Sequence, residues 1–248
     1  MPFKDHFSGH SIDYSKYRPT YPAELFEFII KHVSTLQTAW DCGTGNGQAA
    51  VMLANYFDKV IATDASQEQI NNAIHHNKVE YKVCVAGKTP IRTRSIDLIT
   101  AAQALHWFSY LDFFKVVKRV AKHGATIAIW GYEVCTVNQE IDIIFNRLYK
   151  DILGNYWPPE RKLVEKKYST IPFSFENVIE NEFFIEKNWN LTDYCNFLKT
   201  WSAYQQYRKE HIKDPLGFVM DSLENAWGKK DESRIVKFPV FLKIGFVA

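Results

Sequence analysis

The chain has 248 residues, of which 46% are hydrophobic and 23% are charged, so it can bury a full core and is not a disordered polypeptide. Its 30 lysine and arginine residues nearly balance 28 aspartate and glutamate residues, which gives no electrostatic basis for binding nucleic acid. The N-terminal sequence lacks a signal-peptide pattern, and no run approaches the roughly 18 apolar residues of a membrane span, so we expect a cytoplasmic protein.

The cysteines and histidines give no sign of a metal site or a disulfide framework. The four cysteines, Cys42, Cys84, Cys135 and Cys195, lie far apart and form no paired spacing. The histidines are scattered. We therefore expect no metal.

The first half of the chain has the rhythm of an α/β protein. Pro22 can open a helix, and apolar residues at helical spacing predict one over 23–33. Buried strands are then predicted at 38–40, 59–63, 79–85, 96–101 and 125–130, with helices at 48–56, 66–77 and 111–121. Strands and helices that alternate at this spacing indicate parallel strands in a sheet that helices cover on both faces.

The second half is less regular. Helices are predicted at 137–152, 191–208 and 216–227, a short helix within 160–178, and strands at 182–189 and 236–247. Pro239 in the last strand predicts a sheet edge or a bulge. We divide the chain into an N-terminal lid and first helix (1–36), a ligand-binding core (37–131), and cap insertions with the last two strands (132–248).

A glycine cluster, Asp41-Cys42-Gly43-Thr44-Gly45-Asn46-Gly47, follows the first strand and opens a helix. Glycines there let the backbone approach a ligand closely, because no Cβ intrudes. Dinucleotide-binding loops have the spacing Gly-x-Gly-x-x-Gly, whose third glycine would fall at Gln48. A pyrophosphate gains nothing from the neighbouring Asp41, whereas a ligand with an ammonium and a sulfonium does. The loop therefore favours a cationic cofactor that carries an amino acid.

A second carboxylate, Asp64, stands 21 residues after Gly43, at the end of the second strand. A carboxylate in this place can accept hydrogen bonds from both hydroxyls of a ribose. Asp41, Asp64 and the glycine loop together are more specific than any one of them.

With these residues, the chain resembles the class I S-adenosylmethionine-dependent methyltransferases, and within them the trans-aconitate methyltransferase branch. The similarity rests on four stretches: 41–47 with 64–66, 97–108, 17–22 and 238–245. It is thin between 132 and 190. The resemblance implies a Rossmann-like, seven-stranded, mostly parallel sheet with one antiparallel strand, helices on both faces, and a partly helical cap.

The resemblance also implies S-adenosyl-L-methionine as cofactor, S-adenosyl-L-homocysteine as product, and roles for individual residues. Asp41 would hold the amino group, Asp64 the ribose hydroxyls, and Gln103 would lie under the sulfonium. The remaining cofactor residues would be Gly43, Thr44, Gly45 and Gly47 beside the methionine and ribose, and Ala65, Ala86 and Gly87 beside the adenine. The family often has an acidic residue where Gly87 stands, so the backbone of Ala86 or Gly87 would replace that contact.

Several further residues are candidates for the acceptor side. His106 follows the fourth strand and would orient the acceptor or take its proton; the alternative is a histidine bonded to nearby backbone. Trp107 would wall the pocket. Tyr14, Arg18 and Tyr21 would form a lid, with Arg18 able to bind a carboxylate or simply to stack at the surface. The basic residues at 161, 162, 166 and 167 are interpreted as a solvated face.

The predicted function is methylation of a small molecule, with a carboxylic acid as one acceptor. The segments outside the core sheet would cover the site and select the acceptor. A nicotinamide-dependent oxidoreductase, a cofactor-binding protein without catalysis, and methylation of a macromolecule are the alternatives. No nucleic-acid or membrane partner is expected, and the sequence does not determine the oligomeric state.

Overall fold

The computed structural model describes residues 19–248. Tyr14 and Arg18, two of the predicted lid residues, lie outside the described residues. Seven strands form one sheet in the order β3-β2-β1-β4-β5-β7-β6. In chain order they are β1 (Thr38–Cys42), β2 (Lys59–Asp64), β3 (Val79–Val83), β4 (Ile96–Ala102), β5 (Ala121–Tyr132), β6 (Glu176–Trp189) and β7 (Arg234–Phe246).

The sheet is parallel from β3 to β5, and β7 runs antiparallel to both of its neighbours, β5 and β6. This is the predicted fold, a Rossmann-like sheet with one antiparallel strand. The helices are α1 (Ala23–Ile30), α2 (Gln48–Leu53), α3 (Gln67–Asn71), α4 (Tyr110–Val120), α5 (Gln139–Asn146), α6 (Arg161–Glu165), α7 (Leu191–Lys199), α8 (Ser202–Glu210) and α9 (Met220–Trp227).

The two faces of the sheet bury two separate hydrophobic clusters. Side chains alternate between the faces of a strand, so in β1 Ala39 joins one cluster and Trp40 the other. The larger cluster packs the sheet against α1, α2, α5 and the helices α7 to α9. The smaller one packs it against α4 and α6. Because both faces are covered, the central strands read in the sequence as nearly continuous apolar runs.

Several predicted helices, among them those at 66–77, 137–152 and 191–208, are shorter or more broken than the periodicity suggests. The helix predicted at 66–77 ends at Asn71. Beyond it, the backbone N–H of Ile74 donates a hydrogen bond of 2.9 Å to the carbonyl of Asn46 in the glycine loop. The helix predicted at 137–152 is α5 followed by a π-helical segment, Arg147–Ile152. The helix predicted at 191–208 breaks between α7 and α8, at Thr200 and Trp201.

The prediction that Pro239 marks an edge or bulge is wrong, because β7 lies between β5 and β6. Lys237 exchanges both of its backbone hydrogen bonds with Thr136, and the carbonyl of Pro239, two residues on, accepts from Glu133 on the same side. The proline nitrogen therefore faces the segment that follows the end of β5 at Tyr132. The pairing of β5 with β7 ends at Tyr132 and Val240, so the missing N–H lies just beyond the regular ladder, where a proline is tolerated in an interior strand.

Candidate active site

The carboxyl ends of the parallel strands form one edge of the sheet, and the predicted cofactor residues lie along it. β1 leads into the glycine loop, β2 ends at Asp64, and Gln103 follows β4. From β1 the chain adds β2 and β3 on one side and then returns to add β4 and β5 on the other side, so the strand order reverses between the neighbours β1 and β4. α/β proteins bind ligands in the crevice at such a switch point.

All three glycines of the loop have positive φ angles, 70° at Gly43, 56° at Gly45 and 89° at Gly47. Side chains other than glycine rarely adopt this conformation. A Cβ at Gly43 would lie 2.6 Å from Cβ of Ala104, and one at Gly47 would lie 2.1 Å from Oη of Tyr81. In the described part of the chain, a Cβ at Gly45 would meet a single atom, a side-chain oxygen at 3.8 Å. Gly45 therefore presents bare backbone to open space, while the other two glycines allow the loop to pack.

Asp41 is fully buried and is held by two threonine hydroxyls. Its Oδ2 accepts a hydrogen bond of 2.6 Å from Thr44, and its Oδ1 accepts one of 2.7 Å from Thr100. Burial raises the pKa of Asp41 to about 6, although both hydroxyls act in the opposite direction. The side chain of Thr44 thus positions a carboxylate.

Asp64 is half-buried at the end of β2 and faces the glycine loop. Its Oδ2 accepts from the backbone N–H of Gly45, and its Oδ1 accepts from that of Ser66, both at 2.9 Å. Ser66 in turn caps α3, since its hydroxyl accepts from the backbone N–H of Gln69. These bonds fix the carboxylate beside Gly45, the open position of the loop.

The residues predicted to lie near an adenine sit in two adjacent loops. Ala65 follows Asp64, and Ala86 and Gly87 form part of the turn after β3; all three are half-buried. A Cβ at Gly87 would lie 3.0 Å from Cβ of Asp112 on α4. The packing of α4 therefore leaves little room for the acidic residue that the family often has at this position.

Gln103 is fixed between the ends of β4 and β5. It has a positive φ angle of 51°, and its Oε1 accepts a hydrogen bond of 2.8 Å from the backbone N–H of Tyr132. A Cβ at Gly131 would lie 2.6 Å from the same oxygen, so glycine is needed there. A strained backbone that the surrounding structure holds in place is a common feature of functional sites.

Gln103 lines a cavity whose walls combine aromatic rings with ionisable side chains. The aromatic lining residues are Trp107, Tyr132, Trp157, Phe197 and Trp201, and the ionisable ones are His106, Glu133, Cys135 and Arg161. Val134, Pro158 and Ser202 complete the lining. An apolar pocket with a few polar groups is typical of sites for small molecules.

His106 is buried at 7% exposure and borders this cavity. Its Nδ1 lies 2.9 Å from Oη of Tyr168, a partner 62 positions away rather than the nearby backbone of the alternative interpretation. Burial lowers the pKa of His106 to about 3, and the charge of Arg161 acts in the same direction. The imidazole is therefore neutral at neutral pH. Because Nδ1 is hydrogen-bonded to Tyr168, Nε2 is the ring nitrogen that remains to contact a ligand in the cavity.

Arg161 corrects the interpretation of the basic segment as a solvated face. Lys162 and Lys166 are exposed, but Arg161 is half-buried and lines the cavity. Its Nε donates a hydrogen bond of 3.0 Å to Oη of Tyr149, and its guanidinium carbon lies 5.3 Å from the centre of the Trp157 ring.

Two other predicted residues lie at or beside the cavity. Trp107 forms part of the wall, and its ring centre is 4.7 Å from that of His106. Tyr21, the lid residue within the described range, packs edge-on against Trp130, with ring centres 5.6 Å apart, and lies 6.5 Å from the ring of Tyr132. Tyr21 therefore packs against one of the rings that wall the cavity.

Over residues 19–248, no group of three or more histidine, cysteine, aspartate or glutamate side chains is arranged to hold a metal ion. No helix in that range has the length and apolar character needed to cross a membrane.

Comparison with known proteins agrees with this geometry. Residues 40–129 match a family model described as a methyltransferase domain. A protein of Dictyostelium discoideum that carries the name methyltransferase is 36% identical over 247 residues, which cover 97% of this chain and 94% of the relative. The chain belongs to the class I S-adenosylmethionine-dependent methyltransferases.

Solved structures support the fold of the methyltransferase. A protein from Anaeromyxobacter dehalogenans, described as a type II methyltransferase, superposes with a TM-score of 0.87 at 37% identity and covers 92% of this chain and 97% of its own. A phosphoethanolamine N-methyltransferase of Haemonchus contortus, solved with S-adenosylhomocysteine, superposes with a TM-score of 0.54 at 14% identity, covering 100% of this chain and 61% of its own. At that identity it shows the fold alone. The family assignment favours the methyltransferase over the nicotinamide-dependent oxidoreductase.

Sequence reasoning missed the cap residues of the methyltransferase cavity. Trp157, Arg161, Phe197 and Trp201 lie in segments without a recognisable motif, and their spacing indicated only helices and loops. Thr100 was also missed, although a hydroxyl within an otherwise apolar strand is a signal for a buried polar partner.

Proposed function

We propose that this methyltransferase acts on a small molecule that binds in the cavity beside Gln103 and His106. The observation that carries the proposal is the amphipathic lining of this cavity at the carboxyl end of β4, where Ala104, the neighbour of Gln103, packs on the glycine loop at Gly43. The near balance of charges in the sequence gives no electrostatic basis for binding a polyanionic nucleic acid. A cytoplasmic location is part of the same proposal.

The described residues fit S-adenosylmethionine on one side of the crevice. Gly45 offers bare backbone where a Cβ would fill open space, Asp64 is fixed next to it, and Asp41 adds a second carboxylate behind the loop. We propose that Asp64 binds the ribose hydroxyls and that Asp41 neutralises the amino group. The cofactor, when bound, supplies a methyl group on a positively charged sulfur.

The protein's part in methyl transfer is to align the acceptor and to exclude water. Gln103 is rigidly held between β4 and β5, so it can define where the acceptor lies. A carboxylate acceptor needs no base at neutral pH, whereas an amine, phenol or thiol has a proton to lose. For these acceptors, the neutral imidazole of His106 can accept a hydrogen bond through Nε2 in the tautomer whose Nδ1 donates to Tyr168.

We propose carboxylic acids as the acceptors to test before others, including tricarboxylates of the trans-aconitate type. The support is the sequence similarity of residues 17–22, 97–108 and 238–245 to that branch of the family. The acceptor in the name of the Haemonchus contortus enzyme, phosphoethanolamine, is an amine and adds no support for a carboxylic acid.

We propose that the three segments of the chain, 1–36, 37–131 and 132–248, have different roles in binding. The core contributes Gln103, His106 and Trp107 to the cavity, and the rest of the lining comes from Tyr132 onward. The third segment would then choose the acceptor, while the core binds the cofactor.

A methyl-transfer screen tests the proposal. Purified protein is incubated with radiolabelled S-adenosylmethionine and panels of small acids, phenols and amines, and Asp64→Ala serves as the control without cofactor binding. We expect label in at least one small molecule and none with the variant. Transfer to protein or RNA alone, with no small acceptor labelled, would overturn the proposal.

A further inference from the structure

Within the described residues, the guanidinium of Arg161 lies in the wall of the cavity without a direct ion pair. Its Nε is occupied by the hydroxyl of Tyr149, and no ion pair in residues 19–248 includes Arg161. Tyr149 donates its own proton to Glu165, so that carboxylate is one hydroxyl away from the guanidinium. The two terminal nitrogens of Arg161 remain for another acceptor, and they form the fork that suits a carboxylate.

The other ionisable groups of the cavity do not balance this charge. Glu133 shares Lys167 with Glu182, at 3.1 Å and 2.7 Å from the lysine Nζ, so its carboxylate is directed to that cation. His106 is neutral, and the charge of Arg161 helps to keep it so. The thiol of Cys135 stays protonated, because burial raises its pKa well above the usual range. Among the described residues that line the cavity, Arg161 is therefore the charged side chain without a direct ion pair, and a half-buried cation is stabilised by an anion.

The aromatic rings beside Arg161 determine the shape of the space that a ligand of this cavity would occupy. Tyr149 holds both Arg161 and Trp157, since its backbone carbonyl accepts a hydrogen bond of 3.0 Å from Nε1 of Trp157. The ring of Trp157 lies 5.3 Å from that of Trp201, at the break between α7 and α8. Flat rings of this kind pack well against a flat, unsaturated body.

We propose that Arg161 determines acceptor specificity by binding an anionic group of the acceptor, and that the acceptor is an aromatic or unsaturated acid with a separate nucleophilic oxygen. A carboxylate paired to a guanidinium is a poorer nucleophile, so the methylated oxygen is a different one, a hydroxyl or a second carboxylate. That oxygen forms the new O–C bond while the S–C bond breaks and its electron pair stays on sulfur; a hydroxyl proton leaves to water. This inference rests on the proposed function.

The test compares pairs of ligands of nearly equal shape in which carboxylates are replaced by neutral amides. Quenching of tryptophan fluorescence measures binding of 4-hydroxybenzoate and 4-hydroxybenzamide, and of terephthalate and its diamide, to the S-adenosylhomocysteine complex. We expect the acids to bind more tightly than the amides. Arg161→Gln should weaken the acids by about 10- to 100-fold, the effect of losing hydrogen bonds to a charged group, and leave the amides unchanged.

Two further variants serve as controls. Lys162→Gln removes the same charge from the next, exposed position of α6 and should change nothing. Arg161→Lys keeps a charge but loses the fork, so its acid affinity should fall between those of wild type and Arg161→Gln; it also remains informative if Arg161→Gln fails to fold. Affinity for S-adenosylhomocysteine should be the same in all three.

The outcomes separate this inference from the function on which it rests. Equal binding of acids and amides to the wild type, or unchanged acid binding in Arg161→Gln, would overturn the role of Arg161. If neutral molecules or amines are methylated instead, the small-molecule function stands and the anionic acceptor does not. If S-adenosylhomocysteine binds but no small molecule of any charge binds or is methylated, the proposed function fails, and this inference with it.

Discussion

Replacing single glycines of the 43–47 loop by alanine separates the stability of this methyltransferase from its cofactor binding. Both Gly43→Ala and Gly45→Ala place an alanine in left-handed backbone, which costs roughly 1–2 kcal/mol. At Gly43 the new Cβ would also lie 2.6 Å from Ala104 and 2.8 Å from the ring of Phe108. Overpacking of this kind adds roughly 1–3 kcal/mol.

The two variants should therefore behave differently in a thermal unfolding assay. At about 2–4 °C per kcal/mol for a chain of this size, Gly43→Ala should lower the melting temperature by about 4–20 °C and Gly45→Ala by about 2–8 °C. In calorimetry, the affinity for S-adenosylhomocysteine should fall more in Gly45→Ala than in Gly43→Ala. Gly45→Ala should remain folded yet lose at least about 10-fold in affinity, because its Cβ enters the space that the loop leaves open.

The result that refutes this reasoning is simple to recognise. If Gly45→Ala binds S-adenosylhomocysteine as the wild type does, the open space beside Gly45 is not where the cofactor lies. If Gly45→Ala is as unstable as Gly43→Ala, then the loop is packed more tightly at Gly45 than the distances indicate.

Three further predictions use separate residues of the site. Asp41 must ionise to attract a cationic amino group, and its pKa is about 6, so affinity for S-adenosylhomocysteine should rise about 10-fold from pH 5 to pH 7. Asp41→Asn should flatten that dependence in calorimetry, and an unchanged slope would contradict the assignment. His106 has a pKa lowered to about 3 from 6.5, so the unfolded chain binds a proton there that the folded chain does not. Stability is therefore lost as pH falls below about 6.5, and urea unfolding of His106→Gln should show a smaller loss than wild type between pH 6.5 and 4.5; an identical loss would show that His106 is solvated. Ser66→Ala removes the cap of α3 and should lower the free energy of unfolding, measured in urea, by about 1 kcal/mol. A loss of cofactor affinity worth more than this amount would show that α3 also supports Asp64.

Local signals in the sequence were enough to predict the glycine loop and the two carboxylates beside it. The glycines at 43, 45 and 47, the carboxylates Asp41 and Asp64, and the strands before them all lie within a short stretch of chain. Periodicity of apolar residues and the conformational freedom of glycine are properties of neighbouring residues. Parallel strands then place their carboxyl ends at one edge without further information.

The acceptor side was decided by packing between distant segments. His106 meets Tyr168, and Arg161 meets Tyr149, because α6 packs beneath the 105–107 turn and beside the π-helical segment. The same holds for Pro239, which is tolerated in an interior strand only because β5 ends opposite it. The sequence by itself determined the α/β alternation and the glycine loop, since these follow from local chemistry, and its motifs determined the family and the sheet through resemblance. Only the tertiary structure decided which side chains wall the cavity and which charge remains unpaired there, because both depend on contacts between residues that no local pattern connects.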